Sequence, residues 1–268
     1  VTQRGILSRS GLKVPMKTPT PILAALAFCF TMHAQAQSTN PPVTASSFNW
    51  QSQRGGELKY LLYLPPETAA KPGERQPLML FLHGAGERGT DVQRVAIHGP
   101  MSLVKRGTNF PFIIVAPQCP ENQRWDADAL MQLLAHVTAQ HAVDTNRIYV
   151  TGLSMGGFGT WSLGVKYPEK FAAIAPICGG GNLIDMVLAG PEHEAALRAL
   201  PIWAFHGAKD PVVPLVESER MVSFLKTRVG HQNVKLTVYP EAEHNSWTET
   251  YNNPKFYEWL LAQRRGGR

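Results

Sequence analysis

A chain of 268 residues, 44% hydrophobic and 17% charged, is long enough to bury a full core without staples and fits neither a disordered chain nor a coiled coil. Its formal charge of +6 raises nucleic acid or a membrane surface as a partner. The placement of the charge removes most of that reading: residues 1–36 hold Arg4, Arg9, Lys13 and Lys17 and no acid, which leaves 22 basic against 20 acidic groups in the remainder.

Met16 and Lys17 open a short basic segment, residues 22–32 form an apolar run, and Ala34 and Ala36 are small residues at the two positions a signal peptidase reads. The run is shorter than the ~20 apolar residues that cross a bilayer, so no membrane span is expected. Residues 1–36 read as upstream sequence plus a signal peptide cut after Ala36, which implies a secreted or periplasmic protein. Residues 38–47, rich in Pro, Thr and Ser and without periodicity, read as a tether. The expected organisation is a leader over 37–50, a folded domain over 51–264 and a tail over 265–268.

Beyond the leader, apolar runs at 58–64, 77–82, 112–116, 147–151, 171–177, 202–205 and 234–239 read as strands. Helical segments are expected at 127–141, 155–167, 192–199, 215–229 and 254–264. Alternating strands and helices imply crossover connections and a mostly parallel sheet covered on both faces. The binding crevice of such a sheet lies beyond the carboxyl ends of its strands. The gap 178–201, where large caps are commonly inserted, reads as one short helix and loops, so no cap domain is expected. Cys119 and Cys178 each follow a strand-like run, and spacing leaves a bridge and a pair of free thiols both open.

The residues after the strands carry the chemistry. Gly152, Leu153, Ser154, Met155 and Gly156 form a G-x-S-x-G turn between a strand and a helix, which lifts a serine hydroxyl into the crevice and aims the Met155 amide at a developing oxyanion. A serine needs a base held by a carboxylate. Of nine histidines, His244 lies in a polar loop past the last strand, while His83 and His206 close strands before a glycine and read as turn-shaping rings. Asp210 follows the penultimate strand and precedes Pro211; Asp185 and Glu243 are rival acids. Gly84 and Gly86 flank Ala85, whose amide is the second expected oxyanion donor. Glu87 and Arg88 read as a loop-bracing pair, and Trp125 and Trp247 as aromatic walls for substrate. Metal-ligand and nucleotide-binding patterns do not appear, so no cofactor and no metal are expected.

The runs beginning at His83, Ala116, Gly152, Pro176 and Phe205 together resemble the phospholipase/carboxylesterase and dienelactone-hydrolase-like group of serine α/β-hydrolases, above all the exported esterases labelled predicted peptidases. The resemblance spans residues 58–261. It implies an α/β-hydrolase fold, a triad of Ser154, Asp210 and His244, and hydrolysis of carboxylic esters; the open crevice expected without a cap suits small or polymer-attached ones. Serine at 154 departs from dienelactone hydrolases proper, whose nucleophile is cysteine. A prolyl-oligopeptidase-like serine peptidase and a non-catalytic binding protein on the same fold are the rival readings.

Overall fold

The computed structural model describes residues 43–51, 55–66 and 73–266. The expected signal peptide and the first part of the leader lie outside them. The strands are β1 (Val43–Trp50), β2 (Gly56–Tyr63), β3 (Gln76–Leu82), β4 (Ile113–Pro117), β5 (Val143–Leu153), β6 (Ala173–Ile177), β7 (Ile202–Gly207) and β8 (Val234–Tyr239). The α-helices are α1 (Gly99–Lys105), α2 (Ala127–Gln140), α3 (Met155–Lys166), α4 (Leu183–Val187), α5 (Pro191–Ala199), α6 (Val216–Phe224), α7 (Trp247–Asn252) and α8 (Pro254–Leu261).

The strands form one eight-stranded sheet in the order β1-β2-β4-β3-β5-β6-β7-β8. β2 runs antiparallel to both β1 and β4, and all later neighbours are parallel. β3 is apolar from Leu78 to Leu82 because both of its faces are covered. Leu78, Leu80 and Leu82 pack with α2, α3, α5 and α6, while Met79 and Phe81 pack with α1, α7 and α8. Every parallel strand therefore ends at the same rim, and the loops after β3, β5, β6, β7 and β8 gather there.

Several expectations are corrected. Residues 43–50, read as leader, are the edge strand β1, paired along its whole length with β2. The helix expected over 215–229 is α6 continued by a π-type turn, Leu225–Val229, and ended by Gly230 at φ 71°. α1, α4 and α7 were not expected. Arg265, assigned to the tail, is tied down by its amide to the Asn146 carbonyl at 2.8 Å. Two short helices, α4 and α5, occupy the gap between β6 and β7, and no cap domain is added there.

Strand order also settles the cysteines. Cys119 follows β4 and Cys178 follows β6, with β3 and β5 between them. Three strand spacings amount to about 14 Å, beyond the reach of a disulfide. Both thiols are free and buried, and burial pushes Cys119 up to about 11 and Cys178 up to about 12.

Candidate active site

Ser154 stands between β5 and α3 at φ 54° and ψ −117°, a conformation that costs a non-glycine residue of order 1–3 kcal/mol. The surroundings hold it there. Its amide donates to the Ile177 carbonyl at 3.0 Å and to Cys178 Sγ at 3.3 Å. Cys178 itself sits at φ 40°, so two strained residues lie back to back. The turn also needs glycine on both sides: a Cβ at Gly156 would lie 2.0 Å from the Leu82 carbonyl oxygen, and one at Gly152 would lie 2.5 Å from that of Gly156.

Gly156→Ala is accordingly expected to lower thermal stability by several kcal/mol, about the worst of overpacking. Gly86→Ala, with nothing within 4 Å of the new methyl, is the control. Thermal denaturation of the two variants checks the contrast.

His244 follows β8 in the loop before α7. Its Nε2 lies 3.0 Å from Ser154 Oγ and its Nδ1 lies 2.8 Å from Asp210 Oδ2. A carboxylate only accepts, so Nδ1 carries the hydrogen and Nε2 is left to accept from the serine hydroxyl. The fold brings the two loops together by close backbone approach. A Cβ at Gly207 would lie 2.1 Å from the Glu243 carbonyl oxygen, and the Lys209 amide bonds Ala242 O at 3.0 Å.

The Asp210 side chain is fully buried. Oδ1 accepts the Val212 and Val213 amides, each at 2.9 Å. Burial works to raise this carboxyl, but the bonds from His244, Val213 and Val212 outweigh it and hold it below the usual carboxylate range. The rival acids are elsewhere: Asp185 is exposed on α4 and accepts from Asn182 Nδ2 at 3.1 Å, and Glu243 is exposed.

The amide of Met155 opens α3 and is one of the first-turn donors that have no intrahelical acceptor. Ala85 opens a short 3-10 turn, Ala85–Glu87, and the preceding Gly84 abuts Leu153, where a Cβ would lie 2.9 Å from Cδ1. The loops carrying both expected oxyanion donors therefore flank the serine. Glu87 and Arg88 do not pair with each other. Arg88 Nε bonds Ala85 O at 3.0 Å, whereas the buried Glu87 carboxylate lies 3.7 Å from His98 and 3.8 Å from His83.

His83 behaves as a turn-shaping ring. Burial pushes it down to about 4, so it is neutral near pH 7, donating from Nδ1 to Gly84 O at 2.6 Å and accepting the Cys119 amide on Nε2 at 2.9 Å. His206 is bound to backbone as expected, but it also meets Asp210. His98 lies with its ring 5.5 Å from that of Trp247.

A cleft of about 700 Å³ opens at Ser154, with Trp125, Phe158, Gly159, Asp185 and Arg220 among its walls. Trp125 lines it and donates from Nε1 to His83 O at 3.2 Å. Trp247 stands edge-on to the His244 ring, centroids 5.4 Å apart, and lines a smaller cavity instead. Cys178, Asp210 and His244 offer sulfur, oxygen and nitrogen atoms within 4.8 Å of one another. As they stand they do not suit one tetrahedral ion, whose N and O ligands lie about 3.3 Å apart, because His244 Nδ1 and Asp210 Oδ2 are bonded at 2.8 Å.

The sheet order, with a strained serine between β5 and α3, defines an α/β-hydrolase. The sequence model of the phospholipase/carboxylesterase family matches residues 116–255, and the chain belongs to that family. Among solved structures it is similar to a thermostable esterase, with 33% identity and a TM-score of 0.66 over 82% of this chain and 63% of the other. Poly(3-hydroxyalkanoate) depolymerase C of Paucimonas lemoignei is 29% identical over 47% of this chain and 32% of its own length. Probable acetylxylan esterase A of Neosartorya fischeri is 26% identical over 85% of this chain and 68% of its own. The chain spans 29% to 35% of the length of the first three curated relatives it matches.

Proposed function

We propose that the chain is a serine carboxylesterase that cleaves carboxylic esters through an acyl-enzyme on Ser154. The observation that carries this reading is the continuous chain from Ser154 Oγ through the His244 ring to Asp210, at 3.0 and 2.8 Å. His244 Nε2 takes the hydroxyl proton as Oγ attacks the ester carbonyl, and Asp210 stabilises the imidazolium that forms. The Met155 and Ala85 amides hold the oxyanion, each worth about 3 kcal/mol to the transition state. His244 then returns the proton to the departing alcohol, and water, deprotonated by the same ring, releases the acid.

The relatives' names point to polymer-attached esters of two kinds, a polyester and an acetylated polysaccharide. The surface beside the cleft favours the apolar kind. Asp185 of α4 lines the cleft, and on the same short helix and its last turn Ile184, Val187 and Leu188 are 49%, 57% and 77% exposed. Residues spaced three and four apart share one helix face, and a contiguous exposed apolar face marks contact with something apolar. The segment 16–36, read as an export signal, supports placement where such polymers are met.

A panel of p-nitrophenyl acetate, butyrate and octanoate against the matching anilides tests the reaction class. Ester cleavage is expected to exceed anilide cleavage throughout, with octanoate at least matching acetate. Faster anilide cleavage makes the protein a peptidase, and acetate alone being cleaved removes the apolar substrate.

A further inference from the structure

His206, which closes β7, is fully buried and takes no part in the proton transfers above. Its Nε2 lies 2.9 Å from the Val213 carbonyl oxygen and 3.3 Å from Asp210 Oδ2. Both of these oxygens only accept, so Nε2 carries a hydrogen. The Asp210 carboxylate therefore has two imidazoles on one oxygen: His244 Nδ1 at 2.8 Å in front and His206 Nε2 behind. The Val212 and Val213 amides occupy the other oxygen. In a site from which water is excluded, the bonds from His244, Val212 and Val213, with the His206 ring packed behind them, restrain where the carboxylate can point.

The other ring nitrogen reaches further. The buried Ser218 hydroxyl lies 2.7 Å from His206 Nδ1 and 2.9 Å from the Gly179 carbonyl oxygen, and with the ring hydrogen on Nε2 its single hydrogen serves one of the two at a time. Gly179 is packed on the first turn of α3, where a Cβ on Gly157 would lie 3.1 Å from its Cα. It also follows Cys178, whose sulfur accepts the Ser154 amide. One ring thus ties the aspartate turn to the segment that supports the nucleophile.

Resting on the triad reading above, we propose that His206 is a positioning residue of the triad: with Ser218 it fixes Asp210 against the Ser154 support so that His244 Nε2 stays on the serine hydroxyl. It touches neither substrate nor the reacting atoms, so its loss should fall on kcat rather than on KM. Displacement of a catalytic group by about 1 Å can cost about a hundredfold.

The test measures kcat and KM for p-nitrophenyl butyrate, the melting transition, and the far-downfield proton resonance of the His244–Asp210 hydrogen bond. His206→Ala is expected to lower kcat about a hundredfold with KM within about twofold, and to lose or shift that resonance. His206→Gln, whose amide nitrogen can still donate to Val213 O beside the Asp210 carboxylate, is expected to recover kcat to within about tenfold of the wild type. Ser218→Ala, which keeps the ring and removes its anchor, is expected to cost about tenfold and serves if His206→Ala does not fold. The proposal is overturned if His206→Ala, or Ser218→Ala in its place, keeps kcat within about twofold of the wild type. It is equally overturned if kcat falls with the resonance unmoved and no recovery in His206→Gln, since that is a structural loss. Failure of the triad reading is distinguishable, because the wild-type protein would then lack Ser154-dependent ester cleavage.

Discussion

Ser154→Ala is expected to cleave p-nitrophenyl butyrate about six orders of magnitude more slowly than the wild type, the loss that follows when one member of a triad acting as a unit is removed. What remains should still exceed the water reaction by about three orders of magnitude, because the Met155 and Ala85 amides and the cleft are untouched. The melting transition should hardly move: the substitution removes one hydroxyl and its 3.0 Å contact with His244, while Gly152, Gly156 and the bond from residue 154 to the Ile177 carbonyl keep the turn. A fluorophosphonate probe should label the wild type and not the variant, which also separates an enzyme from a binding protein on this fold. Ester cleavage near the wild-type rate in Ser154→Ala would place the nucleophile elsewhere.

The buried strands were legible because a parallel strand covered on both faces needs an unbroken apolar run, which β3 shows from Leu78 to Leu82. β1 was not, for the converse reason. As an edge strand with Ser47 and Asn49 among its residues and alternate positions exposed, it gains its place from backbone pairing with β2 and carries no apolar signature. α7 escaped notice because its six residues hold only Thr250 and Tyr251 in the core. The positions of Ser154, Asp210 and His244 could be proposed from the order of loops after strands. How the loops are held together could not. That depends on pairs distant in sequence, such as Gly207 with Glu243 and Ser154 with Cys178. The Cys119–Cys178 question depended on strand order, which spacing does not encode. His206 was half legible: a histidine before a glycine at a strand end does bond backbone, but its contact with Asp210 requires the intervening turn to fold back on the ring.

Asp210→Asn is the second large effect, and it tests which acid orients the ring. The substitution keeps shape and volume, and an amide oxygen can still accept from Val212 and Val213 where Oδ1 does. The amide nitrogen must then face His244 Nδ1, donor against donor, at a position now bonded at 2.8 Å. The ring relieves the clash by moving its hydrogen to Nε2, which then points a hydrogen at Ser154 Oγ and can no longer take one. The expected fall in kcat is about four orders of magnitude, the cost of a wrong tautomer in a triad of this kind. The melting transition should shift much less, fluorophosphonate labelling should slow in parallel, and KM should hold, since Asp210 is behind the ring and outside the cleft walls. Asp185→Asn and Glu243→Gln, on exposed carboxylates, should leave kcat for the soluble ester unchanged. If Asp185→Asn instead carried the large loss and Asp210→Asn did not, the orienting acid would belong to α4, and the buried carboxylate beside His206 would be reduced to a structural anchor for the turn after β7.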